Sequence, residues 1–217
     1  MKNNVTEIVF ILDRSGSMAG LESDTIGGFN STIEKQKKGE GKVYVSTVLF
    51  DHECEVIHDR VDIEEVKPMT ENEYFVRGCT ALYDAIGGAI HHIGNIHKYA
   101  RKEDVPEHTI FIITTDGMEN SSNNYSGRKI REMIKRQEEK HGWEFIFLAA
   151  NIDAEATADN IGIRRDRAVN YVQDSDGVKL TYEAMSEAIS SVRSPEGLDN
   201  CNWRKKIDAD NKRRRRR

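Results

Sequence analysis

The sequence predicts an α/β fold: a doubly wound, mostly parallel sheet with helices on both faces. Short, nearly continuous apolar segments recur along the chain, as is typical of strands buried on both faces. Amphipathic helical patterns separate them, and strands that alternate with helices of this length usually form parallel sheets. A chain of 217 residues is long enough to bury its own core without disulfides or a structural metal.

Four apolar segments are predicted to be central strands, at residues 7–12, 43–50, 109–114 and 144–150. A weaker strand is predicted at residues 168–172. Residues 54–61 are more polar and follow the second strand after a three-residue connection. This pattern predicts an antiparallel strand at the edge of the sheet.

Helices are predicted where apolar residues recur every three or four positions. Such faces occur at residues 18–33, 82–97, 130–137 and 179–192. Gly142 follows the third of these segments, at a position where glycine often ends a helix. The predicted elements therefore alternate as a doubly wound fold requires.

The domain is predicted to end near Arg193. From residue 194 onward the composition is polar, and the chain ends in a lysine followed by five arginines. We therefore expect a domain at residues 1–193 and a disordered tail at residues 194–217. The net charge is −5 although the tail is basic, so the domain itself is acidic. Its charge argues against nucleic-acid binding and leaves open only a weak polyanion contact by the arginine run.

Membrane, secreted and disulfide-rich classes are not expected. The longest apolar run, residues 145–150, is far shorter than the ~20 residues of a membrane helix. An acidic residue interrupts the N-terminal apolar stretch, so no signal peptide is expected. The 3 cysteines form no CxxC pair, and their odd number disfavours a disulfide framework or a zinc ribbon. We therefore expect a cytoplasmic protein.

The residues that can bind a ligand or take part in a reaction lie where predicted strands end. Asp13, Ser15 and Ser17 follow the first strand, and Asp116 follows the strand at residues 109–114. Binding sites in open parallel sheets lie at the carboxyl ends of the strands. Thr80 adds a third hydroxyl shortly before the second predicted helix.

These side chains offer only oxygen atoms, from two carboxylates and three hydroxyls. Such hard ligands suit Mg²⁺, Mn²⁺ or Ca²⁺ rather than zinc or copper. Gly16 allows the tight turn through which Asp13, Ser15 and Ser17 can converge. Two carboxylates and neutral hydroxyls cannot fill an octahedral shell, so water or a partner's oxygen must complete it.

Two neighbouring positions leave alternatives open. Glu119 and Asn120 lie beside Asp116, where they either influence a bound ion or contact a ligand, or instead belong to a loop that caps a helix. Cys79 precedes Thr80 and is expected to be buried as a small hydrophobe rather than exposed and redox-sensitive.

These residues resemble the signature of the von Willebrand factor A domains, also called integrin I-type domains, which carry a metal-ion-dependent adhesion site. The signature has Asp-x-Ser-x-Ser after the first strand, Thr in a second loop and Asp after the fourth strand. Its positions are matched in order by Asp13, Ser15, Ser17, Thr80 and Asp116. The resemblance covers residues 5–193 and is greatest to stand-alone bacterial or phage members.

The resemblance implies a six-stranded sheet of order 3-2-1-4-5-6 with one antiparallel edge strand. It implies that Ser15, Ser17 and Thr80 bind the cation through their hydroxyls. Mg²⁺ is the expected ion, with Mn²⁺ or Ca²⁺ as alternatives, because charged ligands are few and the turn is compact. Asp13 and Asp116 would act partly through water, and an acidic residue of a partner protein would supply the last ligand. The predicted function is therefore a divalent-cation-binding protein-interaction module with no catalytic activity.

A metal-dependent phosphohydrolase, or another enzyme that uses the same ion, is the alternative. Phosphatases of the haloacid-dehalogenase type also place a nucleophilic Asp after the first strand. They need a second Asp two residues later as the general acid, and Ser15 stands there instead. A serine hydroxyl cannot protonate a leaving alcohol at neutral pH. P-loop and Gly-x-Ser-x-Gly motifs are also absent from the sequence.

Overall fold

A six-stranded sheet forms the centre of the computed structural model, which describes residues 4–214. Its strands are β1 (Val5–Asp13), β2 (Lys42–Phe50), β3 (Cys54–Asp62), β4 (His108–Thr115), β5 (Glu144–Ala149) and β6 (Ala168–Asn170). They lie in the order β3-β2-β1-β4-β5-β6, and only the β2–β3 pair is antiparallel. The predicted doubly wound topology and its antiparallel edge strand are confirmed.

Helices cover both faces of this sheet. Within residues 4–214 they are α1 (Glu22–Lys37), α2 (Leu82–Tyr99), α3 (Gly127–His141), α4 (Ala154–Asn160), α5 (Ser175–Val192) and α6 (Lys205–Arg214). Helices α1, α5 and α6 contribute to the core on one face, and α2, α3 and α4 to the core on the other. None of the described helices combines the length and the apolar character needed to cross a membrane.

The two cores meet at β1, whose side chains alternate between them. Ile8 and Phe10 belong to the core beneath α1 and α5, whereas Val9 and Ile11 belong to the core beneath α2 and α3. This alternation explains the nearly continuous apolar sequence, because a central strand needs apolar side chains on both faces.

Helix α4 and the first turn of α5 were not predicted. Helix α4 has only 7 residues, too few to reveal a helical period. Helix α5 begins at Ser175, four residues before the apolar pattern, because Asp174 caps it by accepting a hydrogen bond from the Gly177 N–H over 2.8 Å. Both differences arise where local capping and packing, rather than periodicity, determine the structure.

The prediction of a disordered tail is wrong for residues 194–214. A 3-10 helix at Leu198–Asn200 and helix α6 follow α5. Leu198, Trp203 and Ile207 are buried in the same core as α1 and α5. These three anchors are spread among charged residues, so the average composition concealed them. Residues 215–217 of the predicted tail lie outside the described residues, and the assignment of residues 1–193 as a domain stays a prediction.

Candidate metal centre

The site lies where the strand order of the sheet reverses. Strand β1 pairs with β2 on one side and with β4 on the other. Helix α1 follows β1 onto one face of the sheet, whereas α3 follows β4 onto the opposite face. The loops after β1 and β4 therefore diverge and leave a crevice at the carboxyl ends of these strands. Asp13 ends β1, and Asp116 comes directly after β4.

Three hydroxyl groups face this crevice together with the Asp116 carboxylate. Ser15 Oγ lies 3.0 Å from Ser17 Oγ, and Ser17 Oγ donates to Asp116 Oδ1 over 2.5 Å. A Cβ placed on Gly117 would lie 3.6 Å from Ser17 Oγ and 3.7 Å from Thr80 Oγ1, so both hydroxyls face the space beside this glycine. Ser17 is exposed, and the cluster opens to solvent there.

Asp13 is held rigidly beside these groups. Its Oδ1 accepts a hydrogen bond from the Ser15 N–H, and its Oδ2 accepts one from Thr115 Oγ1, each over 2.7 Å. The buried Tyr74 hydroxyl donates to the Asp13 carbonyl oxygen over 2.6 Å. Burial raises the pKa of Asp13 above its ordinary value, although its hydrogen bonds with Thr115 and Ser15 oppose that change. The structure thus brings the predicted residues together, and their role as metal ligands stays a prediction.

The two carboxylates form a buried, acidic pair. Asp13 and Asp116 are each 1% exposed. Burial, together with the negative charge of the neighbouring Asp13, raises the pKa of Asp116 to about 6, although hydrogen bonds from Ser17 and Gln173 oppose the change. Within residues 4–214, neither carboxylate forms an ion pair with a basic side chain, and no such side chain is among the main influences on their pKa values. Two buried carboxylates without a counter-charge are unfavourable, and a bound cation would relieve that cost.

The loop after β4 is fastened to the start of α2. Asn120 Oδ1 accepts from the Thr80 N–H over 3.0 Å, and the Asn120 N–H donates to the Thr80 carbonyl over 3.1 Å. Glu119 Oε2 accepts from the Tyr83 N–H over 2.9 Å, as a cap at the N-terminus of α2. Of the two interpretations of Glu119 and Asn120, the structure therefore supports capping. These bonds fix the position of Thr80 relative to Asp116.

Cys79, immediately before Thr80, is exposed, so the expectation of burial is wrong. Gly78 has a φ of 67°, and this turn buries Thr80 while leaving Cys79 in solvent.

Arg14, inside the Asp-x-Ser-x-Ser segment, organises an ion-pair cluster next to the site. It is fully buried, and its Nε lies 2.9 Å from Asp51 Oδ2 while its Nη1 lies 2.7 Å from Glu55 Oε2. Arg77 Nε also reaches Asp51 Oδ2, over 2.8 Å. Burial alone would raise the pKa of Asp51, but hydrogen bonds from Arg77, the Glu53 N–H and Arg14 bring it below its ordinary value.

A second group of residues is close enough together to bind a metal ion. Ligand atoms of Asp51, His52 and Glu53 lie within 4.8 Å of one another. The Asp51 carboxylate is already neutralised by two arginines. We therefore interpret the group as part of an ion-pair network rather than as a metal site.

Gln173 reaches the site from the loop between β6 and α5 and was not predicted from the sequence. Its Nε2 donates to Asp116 Oδ2 over 2.5 Å and to the Ser17 carbonyl over 2.6 Å. Its Oε1 accepts from Asn151 Nδ2, which also donates to the Asp116 carbonyl over 3.3 Å. The only available sequence signal was its position just after a weak strand that ends at the same edge of the sheet.

No protein-family model and no curated protein sequence matches the chain. Its fold does match solved structures. A von Willebrand factor type A structure from Catenulispora acidiphila aligns with a TM-score of 0.56 and 12% identity, over 88% of this chain and 43% of the other. The chain has the von Willebrand factor A fold.

Two further structures share the von Willebrand factor A fold with this chain. Manganese-loaded TRAP protein from Plasmodium vivax aligns with a TM-score of 0.55 and 13% identity, over 83% of this chain and 73% of the other. Proximal thread matrix protein 1 from the mussel byssus, with a zinc-occupied MIDAS motif, aligns with a TM-score of 0.54 and 17% identity, over 83% and 44%. The chain spans less than half the length of the byssus and Catenulispora chains. Identities this low establish the fold alone.

The residues at the crevice fit a divalent cation. Their donor atoms are hard oxygens, which Mg²⁺, Mn²⁺ and Ca²⁺ prefer. The buried carboxylates Asp13 and Asp116 supply negative charge for which the described residues provide no basic partner. The exposed Ser17 hydroxyl lies at the open end of the cluster, where an ion could enter from solvent.

Proposed function

We propose that the protein is a divalent-cation-binding interaction module that captures an acidic residue of a partner protein. The observation that carries this proposal is the convergence of the buried Asp13 and Asp116 carboxylates with three hydroxyls at the open end of the sheet. The manganese-loaded and zinc-occupied structures of the same fold support a divalent cation. Among such ions we propose Mg²⁺, with Mn²⁺ and Ca²⁺ as alternatives, because charged ligands are few and the turn is compact.

Each residue has a distinct role in this proposal. Ser15, Ser17 and Thr80 offer hydroxyl oxygens, while Asp13 and Asp116 supply the negative charge. The Ser15 N–H and Thr115 hydroxyl hold Asp13 in place before any ligand arrives. A cation held largely by neutral groups remains electrophilic and would bind an external carboxylate.

Exposed apolar side chains beside the crevice support a protein as the partner. Met118, two residues after Asp116, is 71% exposed. Phe75 is 44% exposed and follows Tyr74, which holds the Asp13 backbone. Methionine and aromatic side chains are enriched at protein interaction surfaces.

A selection from displayed random peptides tests this function. Peptides would be bound to the immobilised protein in Mg²⁺ and released with EDTA, with an Asp13→Ala variant as the matched control. We expect the recovered peptides to share an Asp or Glu whose replacement by Asn or Gln abolishes binding, and we expect the variant to recover none. Peptides that resist EDTA, or that bind equally well without their acidic residue, would contradict the proposal.

We propose no catalytic step at this site. The position where a phosphatase of the haloacid-dehalogenase type needs its general acid is Ser15, which is buried and hydrogen-bonded to Ser17. Turnover of simple phosphoesters in Mg²⁺ that disappears in the Asp13→Ala variant would favour the enzymatic alternative instead.

The proposal also includes a cellular location and the strength of any polyanion binding. We propose a cytoplasmic location, which the three unpaired cysteines support. Any polyanion contact by the C-terminal run is proposed to be weak, because Arg213 and Arg214 both pair with Asp210 inside the chain.

A further inference from the structure

Gln173 occupies acceptor oxygens of the very cluster that the proposed function assigns to a cation. One side-chain nitrogen, Nε2, contacts both the Asp116 carboxylate, over 2.5 Å, and the Ser17 carbonyl, over 2.6 Å. An amide nitrogen carries two hydrogens, so each acceptor receives one. The amide thereby places the positive end of its dipole against a carboxylate for which the described residues provide no basic partner.

The orientation of this amide follows from its partners. Its Oε1 faces the Asn151 Nδ2 group, which is a donor. A flipped amide would place Oε1 against the Asp116 carboxylate and the Ser17 carbonyl, which are acceptors only, and Nε2 against a donor. The three contacts are therefore satisfied in one orientation only.

The backbone that carries Gln173 is anchored on both sides. Asp174 caps α5 through the Gly177 N–H and also forms an ion pair with Arg214 of α6 over 2.5 Å. A Cβ on Gly177 would lie 1.9 Å from the Val172 carbonyl oxygen, so this glycine lets the loop lie directly on the helix. Gln173 itself is only half-buried. Its side chain can therefore swing into solvent without movement of the loop.

We propose that Gln173 closes the cation site and that a divalent cation must displace its amide in order to bind. This inference rests on the proposed function. The amide hydrogens carry partial positive charge and compete with the cation for the same Asp116 carboxylate, because the cation would repel them at contact distance. Gln173 thus lowers the affinity of the site for the cation and raises the cation concentration at which the site becomes occupied.

Calorimetric titration of Mg²⁺ into the chelator-stripped full chain tests this competition. The Gln173→Ala variant is expected to bind Mg²⁺ about tenfold more tightly (~1.4 kcal/mol) than the wild type, because the competing hydrogen bond to a charged group is lost. The Gln137→Ala variant, on α3, is the matched control and should bind as the wild type does. Gln173→Lys should bind at least about tenfold more weakly, since its ammonium group would stay with Asp116.

The outcomes separate this inference from the function on which it rests. Equal or weaker binding by Gln173→Ala, together with loss of binding in Asp13→Ala, would overturn the role of Gln173 and leave the cation site intact. Wild-type affinity in Gln173→Lys would overturn it as well. Absence of saturable binding in both the wild type and Gln173→Ala would overturn the inference and the cation site together. Thermal unfolding of each variant verifies that it is folded.

Discussion

Glu138 shows at the scale of one residue how burial makes stability depend on pH. It is half-buried on α3, and this burial together with the negative charge of Glu144 raises its pKa to about 7, although Arg164 and Arg167 oppose the change. The unfolded chain releases the same proton near the ordinary value for glutamate. Between these two values the folded state binds more protons, so the free energy of unfolding falls as pH rises towards 7.

The Glu138→Gln substitution should remove this dependence. Its amide has no charge to desolvate, so we expect a higher urea midpoint than the wild type at about pH 8 and little difference at about pH 4. Urea denaturation at both pH values measures the effect. An equal change of the urea midpoint at both pH values, or a lower midpoint at about pH 8, would contradict burial as the cause of the raised Glu138 pKa.

The residues of the candidate site were predictable to the extent that strand ends fix them. Asp13 ends the buried strand β1 and Asp116 directly follows β4, while Ser15 and Ser17 come shortly after Asp13. Gln173 was not predictable, because it lies 57 positions from Asp116 and meets it only when β6 joins the sheet. No local sequence pattern distinguishes Gln173 from any other polar residue in a loop.

At the scale of elements, the packing of α1 against α5 depends on one small residue. A Cβ on Gly28 of α1 would lie 2.2 Å from Cδ2 of the Tyr182 ring of α5. The adjacent Gly27 has no atom within 4 Å of the same position. The two glycines therefore offer a matched pair in one helix.

We expect Gly28→Ala to lower the free energy of unfolding by about 1–3 kcal/mol, because Tyr182 or the helix must shift. Gly27→Ala should be neutral or should raise it by about 0.5–1 kcal/mol, since alanine favours helix and nothing obstructs its methyl group. Chemical denaturation of both variants decides the matter. Similar effects in the two variants would show that α1 and α5 are not packed this closely.

Strands and helices were predictable where a long apolar pattern in the sequence corresponds to side chains that are buried in the core. The central strands place apolar side chains in both core clusters, and α2 places one long apolar face in the core beneath it. Helix α4 is too short, and α6 has a strongly charged sequence in which only Ile207 and Asp210 are buried. For these two helices, tertiary packing rather than local sequence determines the structure.

At the scale of the whole molecule, the segment after α5 completes one core. Trp203 is 2% exposed and lies in the cluster that also holds Phe29 of α1 and Ile189 of α5. The composition of residues 194–214 gave no sign of this burial. The core on the face covered by α1 and α5 thus extends beyond the boundary that charge and polarity suggested.

Trp203→Ala should lower the free energy of unfolding by about 3–5 kcal/mol, as expected for an aromatic side chain removed from a core. The exposed Tyr99 on α2 is the control, and Tyr99→Ala should change stability little. Both variants can be compared by urea denaturation. A loss below about 1 kcal/mol in Trp203→Ala would mean that residues 194–214 are not part of the folded core.

The central claim, that the acidic crevice of this fold holds a divalent cation, is tested most directly with Asp13→Asn. This substitution keeps the shape of the side chain and removes its charge. Calorimetric titration of Mg²⁺ into the chelator-stripped wild type should show saturable binding to one site. The variant should show no binding, although its thermal unfolding should be as cooperative as that of the wild type. Equal binding by both proteins would contradict the claim, because the ion would then lie elsewhere.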